Sequence, residues 1–221
     1  WKGVLMLERI SYPDRESWLA GRYQSIGASE AAAVIGQSPF MSNVELWRLK
    51  TGRDAPKDLS SNDHVQYGNR LEGPLRNLFE AEHPELTVVH HPFDVLYQTE
   101  RPWLTATLDG ELTENATGRK GILEIKTADV SRSVQYAKWK NAIPQNYFVQ
   151  IIHQFLATGY DFAYMYAQLR FSNGDSQIKG IRFDRKDYKA DIEWLLPREE
   201  KFWNVNVLED KRPNRILAWE I

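Results

Sequence analysis

Apolar residues recur at helical spacing through the first third of the chain. Asp14 can cap a short helix running to about Gly21, and Ser29 to Ile35 is an Ala-rich run stopped by Gly36. Ser42 and Glu45 form an S-x-x-E capping box ahead of Leu46 to Lys50, and Gly52 ends that segment. Between Asn62 and Glu82, residues Leu71, Leu75, Leu78 and Phe79 fall at helical intervals, which predicts one long helix with a single apolar stripe. Pro74 is expected to kink it and Pro84 to end it.

From Thr87 the period changes to two. Thr87 to His91, Trp103 to Leu108 and Gly121 to Thr127 read as antiparallel strands, with Asn115 to Gly118 as the turn between the last two. Tyr147 to Thr158 returns to helical spacing, with Phe148, Ile151, Ile152 and Phe155 on one side. Ala163 to Phe171 and Gln177 to Phe183 flank a Ser-Asn-Gly-Asp turn as a hairpin. A last helix is expected from Asp187 to about Val207, carrying Tyr188, Ile192, Leu195 and Phe202 on one face and bent at Pro197. This order of elements predicts an α/β (α+β) fold, a mixed sheet covered by helices. Repeats and low-complexity segments are absent, so residues 1–221 read as one domain.

Composition narrows the chemistry. The 221 residues carry 28 Lys and Arg against 30 Asp and Glu, so bulk charge alone would not hold nucleic acid, and a DNA site must be a local patch or a metal. No cysteine is present, which excludes disulfides, thiolate metal centres and thiol nucleophiles. No stretch approaches the roughly 18 apolar residues of a membrane span, and a cytoplasmic location, in a bacterial or phage-infected cell, is expected. Trp1 to Leu5 are expected to be vector residues preceding a native start at Met6.

The chemistry-bearing segment is Ala106-Thr107-Leu108-Asp109-Gly110 followed by Ile122-Leu123-Glu124-Ile125-Lys126. On a strand Glu124 and Lys126 project together while Leu123 and Ile125 enter the core, and a hairpin return brings Asp109 beside them. Two carboxylates can hold a hard cation such as Mg2+, and a nearby ammonium can orient water and offset developing charge. E-x-K alone is equally well a surface ion pair across a hairpin.

Wider segments decide between these. Trp18-Leu19-Ala20-Gly21-Arg22, the run Ile26 to Gly36, Glu45-Leu46-Trp47 with Lys50-Thr51-Gly52, Gly68 to Glu72, Leu108-Asp109-Gly110, Leu123-Glu124-Ile125-Lys126 and Gln150-Ile151-Ile152-His153-Gln154 occur in order. Together they resemble the phage lambda exonuclease and YqaJ-like viral recombinase family of the PD-(D/E)XK nuclease superfamily, with its restriction-endonuclease-like fold.

The resemblance implies that Asp109, Glu124 and the Ile125 carbonyl ligate the metal and that Lys126 positions the attacking water. It implies that Glu72 helps hold the metal or its waters, and that Gln150 sits beside the scissile phosphate. Gly68 and Gly73 would let the backbone around Glu72 approach the sheet. Arg22, Ser29, Thr107 and Arg132 correspond to positions that bind a terminal 5′ phosphate. Ser29 is also expected to be a helix N-cap, Arg22 a cation at a helix end. Arg132 lies in a basic stretch, Arg119 to Lys140, with six Lys or Arg and two acids. The remaining histidines lack zinc-site spacing, His153 reads as packing, and the eight Trp read as core.

The resemblance further implies a Mg2+-dependent (or Mn2+-supported) exonuclease. It would degrade the 5′-ended strand of linear duplex DNA to mononucleotides and leave 3′ tails for a single-strand-annealing recombinase, as a homotrimeric ring around DNA. The rivals are a related endonuclease or helicase-associated nuclease and, outside enzymes, a silent DNA-end-binding module.

Overall fold

The computed structural model describes residues 6–131, 133–140 and 142–216. In chain order its elements are β1 (Leu7–Ser11), α1 (Arg15–Gly21), β2 (Ile26–Gly27), α2 (Ala31–Val34), α3 (Asn43–Lys50), α4 (Asp63–Glu82), β3 (Leu86–Val89), β4 (Asp94–Gln98), β5 (Leu104–Ala106), β6 (Gly110–Glu114), β7 (Lys120–Val130), α5 (Ser133–Lys140), α6 (Gln145–Thr158), β8 (Phe162–Phe171), β9 (Ser176–Asp184) and α7 (Lys189–Lys201). The strands form two mixed sheets, ordered β1-β4-β5-β2 and β3-β6-β7-β8-β9. The only parallel neighbours among the described residues are β2 with β5 and β7 with β8.

Capping starts the helices where the polar residues allow. Asp14 accepts the Ser17 N–H at 2.8 Å, Ser42 and Glu45 cap α3 reciprocally, and Asn62 accepts the first N–H groups of α4. The Ala-rich run behaves differently. It opens as a 3-10 turn over Ala28–Glu30 before α2, and the Glu30 carboxylate accepts the Gly27 N–H at 2.9 Å. Gly27 is therefore the cap, and Ser29 lies inside the turn rather than capping it.

Helix α4 runs through Pro74 as one element and turns Leu75 and Phe79 into a cluster with Leu112, Leu123, Ile125 and Phe162. The buried face centres between Leu75 and Phe79, so Leu78 is displaced to the rim and is exposed. Gly68 shares the buried line: a Cβ there would come within 3.3 Å of the Thr127 hydroxyl oxygen on β7. Gly73 faces open space and is not needed for the approach.

The largest correction concerns β5. The Trp103 to Leu108 segment does not pair with β7. Leu104–Ala106 lies antiparallel to β4 and parallel to β2 in the first sheet. The antiparallel neighbour of β7 is β6, joined to it through the Asn115–Gly118 turn region with Gly110 opposite Leu123. The sequence Gly-Glu-Leu-Thr-Glu of β6 looks polar, yet Leu112 is fully buried and the Arg9 guanidinium binds Glu111 at 2.5 Å. Thr107 to Asp109 thus carries the chain from one sheet to the other.

Helix α6 is buried on nearly all sides from Val149 to Thr158, with Ile151, Ile152 and Phe155 in the largest core cluster. The final helix is composite: a 3-10 turn over Arg185–Tyr188, α7, then a π-helical segment over Phe202–Leu208.

Candidate active site

Asp109 sits at the crossing between the sheets, immediately before β6. Its Oδ2 accepts the Ile125 backbone N–H at 2.7 Å, so the carboxylate lies against the edge of β7 just beyond the last residue paired with β6. In a strand the N–H and C=O of one residue leave on the same edge, so the Ile125 carbonyl also faces the Asp109 side.

Glu124, one residue before, points to the opposite face of β7 and is 2% exposed beneath α6. Its Oε1 accepts from the Lys126 ammonium and from Gln150 Nε2 at 2.6 Å, and its Oε2 accepts from Gln154 Nε2 at 2.5 Å. Burial on this scale rules out a solvated surface ion pair. Burial disfavours the charge on Lys126, but Glu124 and Asp109 more than offset it and raise its pKa above the ordinary lysine value. Lys126 acts here, through its ammonium, as a donor to the Glu124 carboxylate. Its ammonium also lies 5.4 Å from the centre of the Tyr147 ring.

Burial, and then the Glu124 charge, push the Asp109 carboxyl well above the usual carboxylate range; Lys126 opposes the rise and Glu72 adds to it. Glu72 enters from α4, where Arg76 Nη2 holds it at 2.5 Å while Arg76 Nε donates to the Asp109 carbonyl at 2.6 Å. The His90 ring reaches the same carbonyl at 3.2 Å, which places this histidine at the site.

A second group of residues gathers around α1. Arg22 Nη2 donates to Ser29 Oγ at 2.9 Å, and the guanidinium lies 5.1 Å from the Trp18 ring centre. Trp18 Nε1 donates to Thr107 Oγ1 at 3.1 Å, which ties this group to the Asp109 crossing. Beneath it, the buried Lys50 ammonium binds Glu30 at 2.7 Å and the Arg22 carbonyl at 2.7 Å. Gly27 N–H is already bonded to Glu30, so the groups here that could take an anion are the Arg22 guanidinium and the Ser29 hydroxyl. Arg132 lies outside the described residues.

One cavity of about 1020 Å³ joins the two groups: Glu72, Asp109, Glu124, Lys126 and Gln150 line it together with Arg22, Ser29 and Thr107. Among the described residues no cluster of three or more His, Asp or Glu forms a ready-made metal centre. The oxygen set nevertheless fits a hard divalent cation. Asp109 and Glu124 repel one another in a buried setting, and a cation would relieve the repulsion, with the Ile125 carbonyl, water and phosphate filling the remaining positions.

Sequence reasoning gave no role to Gln154, Arg76, His90 or Lys50. Their spacing from Gln150 and Glu72, four residues on one helix face, was the available signal for the first two. Among the described residues Trp47, Trp139 and Trp203 are buried, Trp194 is exposed, and Trp18 and Trp103 are half-buried and line the cavity, so the core reading of the Trp residues holds only in part; Trp1 and Trp219 lie outside the described residues.

The fold resembles solved exonucleases of the PD-(D/E)XK type. An alkaline exonuclease from Laribacter hongkongensis matches with a TM-score of 0.58 and 19% identity, over 90% of this chain and 97% of that one. A phage-related exonuclease from Haemophilus somnus 129PT matches with a TM-score of 0.54 and 16% identity, over 85% of this chain and 96% of that one. In sequence, the uncharacterized protein YqaJ of Bacillus subtilis (strain 168) is 27% identical over 216 residues. That alignment takes in 96% of this chain but only 62% of the length of the Bacillus protein. The profile of the YqaJ-like viral recombinase domain matches residues 17–161, and the chain belongs to that family.

Proposed function

We propose that this protein is a Mg2+-dependent exonuclease that degrades the 5′-ended strand of linear duplex DNA in the 5′ to 3′ direction. It releases mononucleotides and leaves 3′ single-stranded tails for an annealing recombinase. The observation that carries this reading is the shared cavity: paired carboxylates with a fixed cation on one side, an arginine and a serine hydroxyl suited to a phosphate on the other. A site with the carboxylates alone would cut any phosphodiester. The exonuclease names of its structural relatives support the choice of reaction.

In this mechanism Asp109, Glu124 and the Ile125 carbonyl would hold the metal, and Glu72 would help to order water beside it. Bound Mg2+, or Mn2+ in its place, polarises the phosphodiester and makes water more acidic. Gln150 and Gln154 fix the Glu124 carboxylate, and Lys126 orients the attacking water and offsets charge that develops on the phosphate. Arg22 and Ser29 hold the terminal 5′ phosphate, Thr107 lines the path between the two groups, and Arg132 adds positive charge. A homotrimeric ring would keep the enzyme on its duplex through many turnovers.

Linear and circular duplex DNA incubated with Mg2+ or with EDTA test this reading. The expected result is Mg2+-dependent loss of linear DNA with circles untouched. Cutting of circles would make it an endonuclease, and no cutting a binding module.

A further inference from the structure

The cavity has a third wall that neither the metal nor the phosphate explains. Phe93 lines it with its ring half-buried, and Trp18 stands beside it, the two centroids 6.2 Å apart at 45°. Neither ring belongs to the three hydrophobic clusters formed by the described residues.

Phe93 is also held in an unfavourable backbone conformation, with φ of 61°. That left-handed region suits Gly or Asn and is a genuine outlier for a bulky side chain. Its carbonyl accepts the Tyr12 N–H at 3.3 Å, which pins the strained peptide to the chain leaving β1. A residue chosen only for the turn would not be phenylalanine. Strain retained at a cavity wall indicates that the ring itself is used.

The position of the wall indicates what it meets. A nucleotide with its 5′ phosphate at Arg22 and its 3′ phosphodiester at Asp109 and Glu124 would lie along the line that Trp18 spans, since Trp18 contacts Arg22 on its face and Thr107 through its N–H. The base must project sideways from that line. We propose that Phe93, backed by Trp18, is a stacking platform for the base of the 5′-terminal nucleotide, so that the cavity takes an unpaired nucleotide rather than a bare sugar phosphate. This rests on reading the substrate as a DNA end. Stacking on an aromatic face tolerates any base, as a degradative enzyme needs.

Calorimetric binding of dAMP, dTMP and 2-deoxyribose 5-phosphate in Mg2+ tests the platform without any cleavage step. Wild type should bind both nucleotides about tenfold more tightly than the sugar phosphate. Phe93→Asn, whose side chain tolerates a positive φ, should bring that ratio close to one without lowering the melting temperature, and Phe93→Trp should restore it. Equal affinity in wild type, including no measurable binding of any probe, would overturn the proposal. So would a Phe93→Asn protein that keeps the ratio, or one that melts well below wild type, since that marks a packing residue. Base discrimination without DNA cleavage would reject the nuclease and keep the platform; cleavage without discrimination would do the reverse.

Discussion

Gln154 donates from the buried interior of α6 to Glu124 Oε2 at 2.5 Å, one helical turn beyond Gln150, which donates to the other oxygen of the same carboxylate. Both oxygens are thereby fixed by amides from one rigid helix. Outer partners of this kind usually matter 10- to 100-fold in metal affinity or activity. Gln154→Leu should reduce cleavage by about that factor. A steady-state rate within twofold of wild type would show that Gln150 and Lys126 suffice.

Asp109 is placed where its own charge is unfavourable, partly desolvated on the cavity wall and close to Glu124. Asp109→Asn should therefore lower the rate by at least about 100-fold while leaving thermal stability unchanged or raised. Glu124→Gln should be equally inactive. Activity near wild type in either variant, measured on linear duplex with Mg2+, would remove the pair from the metal site.

His153 and Glu199 form a fully buried pair at 2.7 Å, and the other imidazole nitrogen meets the Thr105 carbonyl at 2.9 Å. Both partners accept, so the ring donates from both nitrogens as an imidazolium. Burial opposes that charge, but Glu199 and the hydrogen bonds raise the His153 pKa above its ordinary value. The stabilisation is thus fully present below the unfolded-state pKa of about 6.5 and is lost as pH rises through the higher folded-state value. Melting temperature should fall over that rising window, and the fall should vanish in a His153→Leu, Glu199→Leu double variant. His153→Leu alone should cost about 3–5 kcal/mol by leaving Glu199 buried without its cation. A pH-independent wild-type melting curve would contradict the charged pair.

Arg22 and Ser29 bond to each other at the cavity wall, so a terminal phosphate would replace that contact with stronger charge-assisted ones. DNA with 5′-phosphate ends should be degraded faster than the same DNA with 5′-hydroxyl ends, and Arg22→Ala should erase most of the difference. Retention of the full preference in that variant would place the phosphate elsewhere.

The local parts of this site were legible in sequence. Glu124 and Lys126 are two apart on one strand, Asp109 precedes a Gly, and Ser42 and Glu45 cap as their spacing requires. What needed the structure was whatever depended on packing between distant segments. The polar β6 is a strand because Leu112 is buried by other elements and Glu111 is paired by Arg9 from the distant β1. The partners of Trp103 to Leu108 could not be read from its own alternation. Arg76 reaches the Asp109 carbonyl from α4, which lies close to Thr127 at Gly68. Ser29 reads as a cap by residue type, but the Glu30 carboxylate three residues after Gly27 takes that role first.

In the proposed reaction Asp109 and Glu124 hold the cation at which water cleaves the 5′-terminal phosphodiester of a duplex end. A linear duplex labelled at one 5′ phosphate, mixed with wild type or Asp109→Asn in Mg2+, measures this in one time course. The predicted result is immediate release of label as mononucleotide by wild type, none by the variant, and no loss of nucleotides from the 3′ end of the complementary strand. Label appearing first in longer oligonucleotides, or shortening of either strand from its 3′ end, would contradict it.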